Sequence, residues 1–130
     1  MPRAVLAGLA YVAVVFAVAF AVGALRVLVL APRLGDTLAV LVEVPVILAV
    51  SWWSCGVIVR RFAVAPALGD RVVMGALAFI VLQAVEAVLA LTAFGRTGAD
   101  YLAAFATPAG LLGLAGQIAF ALIPLVRRPG

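Results

Sequence analysis

The sequence predicts an all-α fold: an integral-membrane bundle of four helices running up, down, up and down. Two observations carry that expectation. Of the 130 residues, 68% are hydrophobic and only 11% charged, with a mean hydropathy of +1.36, and a water-soluble domain of this size cannot hide so much apolar surface. The apolar residues also fall in four runs, about 4–30, 38–58, 72–94 and 101–126. Each reaches the roughly 20 helical residues that cross a hydrocarbon core of about 30 Å. The chain, 1–130, reads as a single transmembrane domain.

The first run follows Met1-Pro2-Arg3 and exceeds the roughly 7–15 apolar residues of a signal-peptide core, so it is read as a retained span. The connections at 31–36, 59–71 and 95–99 are short, which predicts that successive helices are antiparallel neighbours. Asp36 or Thr37, Asp70 and Asp100 each precede an apolar run, where a side-chain oxygen can cap free backbone N–H groups. Pro45 and Pro108 lie about two turns into their helices and predict kinks there. Thr107-Pro108 also reads as an N-cap followed by Pro at the first helical position, leaving 109–126 as the span. The kinked continuous helix is the preferred reading of the two.

Small residues recur on single faces: Gly8, Ala19 and Gly23 with Arg26 on the first helix, and Gly110 and Gly113 with Gln117 on the fourth. Such stripes let helix backbones approach closely, so Gly23, Gly110 and Gly113 are expected at packing contacts. "RLGDTLAVLVEVP" (33–45) overlies "RTGADYLAAFATP" (96–108) with Arg, Gly, Leu-Ala and Pro in register. The match is compatible with two helical hairpins related by an axis along the membrane normal, and equally with chance in a chain so rich in Ala, Leu, Val and Gly.

All nine cations are arginine, a bias that codon usage explains better than phosphate or nucleic-acid recognition. Their distribution instead reports topology. Arg3, Arg60, Arg61, Arg71, Arg127 and Arg128 fall on one side of the bundle and Arg33 and Arg96 on the other, with Arg26 near the end of the first span. The bias places both termini in the cytoplasm, argues against dual topology, and sets the cytoplasmic arginines against anionic lipid headgroups. The composition, without an organellar targeting pattern, fits a bacterial inner membrane. There is no histidine and Cys55 is the single cysteine, so no internal disulfide, His/Cys metal site or cofactor is expected.

The polar positions inside the apolar runs carry the functional expectation. At 1.5 Å per residue, Glu43 lies roughly 8 Å and Glu86 roughly 12 Å below the outer ends of their helices, with Arg26 in the same layer. An ionised group at that depth costs on the order of 3 kcal/mol and is expected to face the interior and be paired. Arg26 with Glu43 is the obvious pair. Glu86 is expected to share the arginine or to carry a proton, with Gln83 one turn away to hold it and Gln117 adding an amide from the fourth span. Nothing comparable stands out in the inner half. Trp52, Trp53 and Tyr101 suit interface anchoring. Ser51 and Ser54 are expected to bond their own helix backbone, and with no histidine or lysine as base a serine hydrolase is unsupported.

In length and number of spans the chain is similar to the small multidrug-resistance transporters, which carry a membrane glutamate in the first span rather than the second and third. The stretch 23–40 resembles the start of the fluoride-channel family, whose second-span Asn has no counterpart here, and 76–88 lacks that family's Thr/Phe/Ser run. Neither resemblance carries residues over. The sequence therefore supports a non-enzyme: a small transporter or channel with a buried Arg/Glu cluster, or a non-transporting accessory or assembly subunit. In either case a homo-oligomer or a larger membrane complex is expected.

Overall fold

In a computed structural model, residues 2–93 and 95–127 are described, and they form five helices and no strand. Helix α1 spans Pro2–Leu34 and α2 spans Asp36–Arg61. Helix α3 is Leu68–Thr92, α4 the short Gly98–Ala104, and α5 Pro108–Val126. Helices α1, α2, α3 and α5 are long and apolar enough to cross a membrane. The expected end of the third span at 94 and the arginine at 128 lie outside the described residues.

Helix α1 changes pitch near its end. Pro32 has no N–H to give the Leu28 carbonyl, and its ring crowds that turn. The backbone widens into a π turn over Arg26–Leu30, in which the Ala31 N–H reaches back to the Arg26 carbonyl. Gly35, at φ +83°, then reverses the chain. The acidic residues expected as caps sit inside the first turns instead. Gly35 and Ala67 occupy the cap positions of α2 and α3, while Asp36 and Asp70 lie in the first turns. There they still face the positive end of the helix dipole. Asp100 likewise lies inside α4, whose cap is Thr97, accepting from the Asp100 N–H at 3.1 Å.

The fourth apolar run is not one kinked helix. Thr107 caps α5 through its side-chain oxygen, 3.0 Å from the Gly110 N–H, and Pro108 takes the first turn, where its missing N–H costs nothing. Residues 98–104 form a separate helix, so Pro108 starts a helix rather than bending one. Pro45 does lie inside its helix. A further interior proline, Pro124 near the end of α5, escaped the sequence reading.

Chain direction alternates along the four long helices, but the neighbour order is not sequential. Around the bundle the order is α1, α2, α5, α3: α1 packs on α2 and α3, α5 on α2 and α3. Helices α2 and α3, expected side by side, instead face each other across the diagonal. The six residues 62–67 permit this, since an extended segment of that length reaches about 20 Å and the diagonal between axes about 9 Å apart is only about 13 Å. Glycines seat the pairings. A Cβ on Gly8 would lie 2.9 Å from the Met74 carbonyl oxygen, joining α1 to α3, and one on Gly75 would lie 2.2 Å from that of Ala121, joining α3 to α5. Gly116 faces Val44 of α2.

This order puts the two hairpins side by side, and an axis along the bundle would instead require α2 beside α3. Residues 36–45 are also continuous helix whereas 98–108 contain the break before α5. The internal repeat therefore has no structural counterpart. None of the three expected packing glycines seats one long helix on another. Gly113 meets nothing within 4 Å, and Gly23 meets only the Arg26 guanidinium, whereas Gly110 packs against the Ala104 carbonyl at the α4–α5 turn instead of on another span.

The core centres on Tyr11, Val59, Met74, Cys55 and Phe120, all essentially inaccessible. A broad apolar surface stays exposed around it, including Leu6, Phe20, Leu28, Ile80, Val88, Leu111 and Leu122. Trp52 and Trp53, 46% and 65% exposed, sit among these residues.

Candidate functional site

The inward polar residues form two groups. At the Gly35 end, the π turn directs Arg26 toward α2, where its Nε donates to Glu43 in an ion pair. The pair is only part-buried, with side-chain exposures of 29% and 16%. On the facing helices, Gln83 Nε2 donates to Gln117 Oε1 at 2.6 Å, and Gln117 Nε2 donates to Glu86 Oε2 at 2.7 Å. Gln83 thus reaches Glu86 through Gln117, although the two share one face of α3. Glu86 does not share the arginine by hydrogen bond; its partner is the amide of α5. The Glu43 and Glu86 carboxylates are nevertheless close enough for their charges to interact. One guanidinium, two carboxylates and two amides from four helices therefore occupy one layer, with one carboxylate more than the cation can balance.

Helix α4 closes this end. It packs on α3, and the absence of a Cβ at Gly110 lets α5 meet the Ala104 carbonyl. Tyr101, half-buried on α4, packs edge-on against Phe105 with ring centroids 5.3 Å apart. Its phenol is within electrostatic reach of both Glu86 and Arg96. Burial, and then the Glu86 carboxylate, push the hydroxyl above its ordinary pKa, while Arg96 opposes them. Tyr101 thus belongs to a helix of its own rather than to the head of the fourth span.

The other half of the bundle, expected to be bare of polar structure, holds a more deeply buried set. Pro124 cannot donate to the Phe120 carbonyl four residues back, and the Tyr11 hydroxyl supplies the missing donor at 2.6 Å from across the diagonal. The two rings stack at 4.4 Å and 12°. Ser51, bonded to the Ile47 carbonyl at 2.7 Å, lies against the same phenol, and Ser54 bonds the Val50 carbonyl. Arg71 is only 4% exposed. It donates to the carbonyls of Ala65 (3.2 Å), Pro124 (3.0 Å) and Arg127 (2.6 Å), capping the negative end of α5. Arg127 donates to the Trp52 carbonyl at 3.0 Å and lies 5.1 Å over the Trp52 ring.

This second set was legible only in part. An arginine just after a helix start reads as a topology signal, and nothing local separates Arg71 from Arg60. The joint signal was a Tyr in an apolar first span and a late Pro in the last, a freed carbonyl and a donor able to meet it.

No group of three or more His, Cys, Asp or Glu side chains among the described residues is placed to hold a metal. Shallow cavities lie on the surface of the described residues. One of about 290 Å³ is an apolar groove between α3 and α5, lined by Val72, Phe79, Ile118 and Leu122 among others, and one of about 320 Å³ lies beside Arg3 and Asp70. Comparison with known proteins finds no family model, no curated protein and no solved structure that matches this chain.

Proposed function

We propose that the protein is a multi-pass membrane transporter or channel for a proton or a small monovalent cation, and that Glu86 is the carboxylate that binds and releases it. The observation that carries this reading is the charge imbalance of the layer. Arg26 pairs with Glu43, which leaves Glu86 in the same partly apolar layer with the Gln117 amide as its hydrogen-bond partner. In a low-dielectric setting such a carboxylate requires a counter-charge, and a mobile one makes a transport site. The exposed apolar belt supports placement in a bilayer. The arginine asymmetry supports both termini on the cytoplasmic side of a bacterial inner membrane, with anionic headgroups at Arg3, Arg60 and Arg61. Four helices this closely packed enclose little space, which favours a homo-oligomer as the working unit.

The test is flux in vesicles of purified protein under an imposed pH or Na⁺ gradient. Wild type dissipates the gradient, and Glu86→Gln abolishes flux with its melting temperature nearly kept. Glu43→Gln also loses stability, by about 1–3 kcal/mol, because Arg26 is left part-buried without its partner. Equal flux from wild type and Glu86→Gln rejects the proposal.

A second reading is favoured by a different observation: each side-chain pair among Arg26, Glu43, Gln83, Glu86 and Gln117 joins two helices, which suits a clasp in an accessory or assembly subunit of a larger complex. It predicts that the two Gln variants change stability together with no flux to lose, and that native mass spectrometry of gently extracted protein finds other chains.

A further inference from the structure

The hydrogen bonds at Glu86 run in one direction, and that direction selects what the carboxylate can bind. Gln83 Nε2 donates to Gln117 Oε1 at 2.6 Å, and Gln117 Nε2 donates to Glu86 Oε2 at 2.7 Å. An ionised carboxylate accepts and never donates, so the nitrogen of Gln117 faces it and the oxygen is turned away to Gln83. Reversing the Gln117 amide would set its oxygen against the carboxylate and its NH2 against that of Gln83, so the two amides turn together or not at all. The backbone offers no substitute oxygen, since α3 and α5 are unbroken helix at these residues and their carbonyls are taken by N–H groups one turn on. Glu43 of α2, whose charge reaches Glu86, accepts from Arg26 of α1. Tyr101 of α4 is within electrostatic reach as well, and α5 carries no ionisable side chain.

We propose that Glu86 binds and releases a proton and rejects Na⁺ and other metal cations, because the Gln83–Gln117 pair directs an N–H at it where a cation would need an oxygen. The inference rests on the reading of Glu86 as the exchanging carboxylate and chooses between the two ions named there. A hard cation leaves water only where several oxygens replace its hydration shell together. At Glu86 the neighbouring amide presents its donor, and a donor repels a cation from the same place. No group of three or more His, Cys, Asp or Glu among the described residues gathers the missing ligands. A proton needs only the carboxylate. It adds to Oε1, forming one O–H bond and discharging the group, while Oε2 keeps its lone pairs and goes on accepting from Gln117. Both charge states of Glu86 therefore fit one arrangement of the amides, and exchange requires no repacking of α3 on α5. Gln83 acts through Gln117, as a positioning residue that occupies its oxygen.

The deciding measurement reads the carboxyl group rather than flux. Infrared difference spectra of the protein in lipid vesicles, recorded across pH, show the C=O band of a protonated carboxyl. The band that Glu86→Gln removes and Glu86→Asp displaces belongs to Glu86. It is expected to appear on acidification and vanish on return, with the same midpoint in Na⁺, Li⁺ or choline at equal ionic strength. A cation that competes for the carboxylate, present at about ten times its Kd, instead moves the midpoint about tenfold in proton concentration, or about one pH unit. Such a shift in Na⁺ or Li⁺, or the lack of any Glu86 band that titrates, overturns the proposal. If the band titrates alike in every salt while wild type and Glu86→Gln show equal flux, the proton site stands and the transport reading falls. If Glu86→Gln abolishes a flux driven by a Na⁺ gradient at equal pH on both sides, the transport reading stands and the choice of the proton falls.

Discussion

At the scale of single residues, the structure turns on carbonyls that helices cannot satisfy themselves. Pro124 leaves the Phe120 oxygen without its i+4 donor, and Tyr11 meets it from the diagonally opposite helix. A buried acceptor without a partner costs about 1–3 kcal/mol, so the phenol is fixed by a neighbour's defect rather than by its own helix. This dictates an unusual coupling. Tyr11→Phe is expected to cost about 1–3 kcal/mol in the wild-type background. Pro124→Ala restores an N–H to the Phe120 oxygen, and in that background the same change is expected to cost at least about 1 kcal/mol less. Thermal melts of the four proteins in one detergent measure the cycle, and strict additivity would show that the contact is not the stabilising one. Arg71 follows the same logic: it donates to two carbonyls at the end of α5, those of Pro124 and Arg127, and to the Ala65 carbonyl of the link before its own helix.

At the scale of elements, glycine position separates close helix packing from mere composition. Gly75 sits where a Cβ would meet a backbone oxygen at 2.2 Å, which neither helix can yield without shifting. Gly113, on a stripe that the sequence marks as a packing face, looks onto open space. Opposite outcomes follow for the same substitution. Gly75→Ala is expected to destabilise by about 1–3 kcal/mol through overpacking. Gly113→Ala is expected to stabilise by about 0.5–1 kcal/mol by removing backbone freedom from the unfolded chain. Melting temperatures of the two variants check this, and a matching sign would remove the distinction. The end of α2 illustrates the converse case: Ala63 takes a left-handed φ of +50° that glycine usually supplies, because the Val64 N–H must turn back to the Val59 carbonyl at 3.0 Å to close the helix.

At the scale of the whole molecule, the neighbour order α1, α2, α5, α3 places parallel helices side by side and brings Tyr11 to Phe120 across the middle. It also decides which polar residues meet. Glu86 on α3 finds Gln117 on the adjacent α5, while Arg26 and Glu43 pair within the first hairpin. The apolar belt implies a depth for every residue. Trp52 and Trp53 are exposed on the half of α2 near the chain ends, next to the exposed Arg60 and Arg61. Fluorescence in vesicles containing lipids brominated at defined acyl positions is therefore expected to be quenched most by the shallow labels. Strongest quenching by labels near the bilayer centre, or none at any depth, would contradict a bundle spanning the bilayer in this register.

The sequence alone determined the helical class, the four long apolar helices and the presence of charges that had to be sheltered, because hydropathy and charge are properties of composition and spacing. It also contained both readings of Thr107-Pro108; the cap prevailed because a proline at a helix start loses no hydrogen bond. Only the tertiary structure decided the neighbour order, the partner of Glu86, the failed repeat and the buried roles of Tyr11 and Arg71. Each of these depends on which helix lies beside which, and a loop of six residues leaves that choice to close packing between helices far apart in the chain.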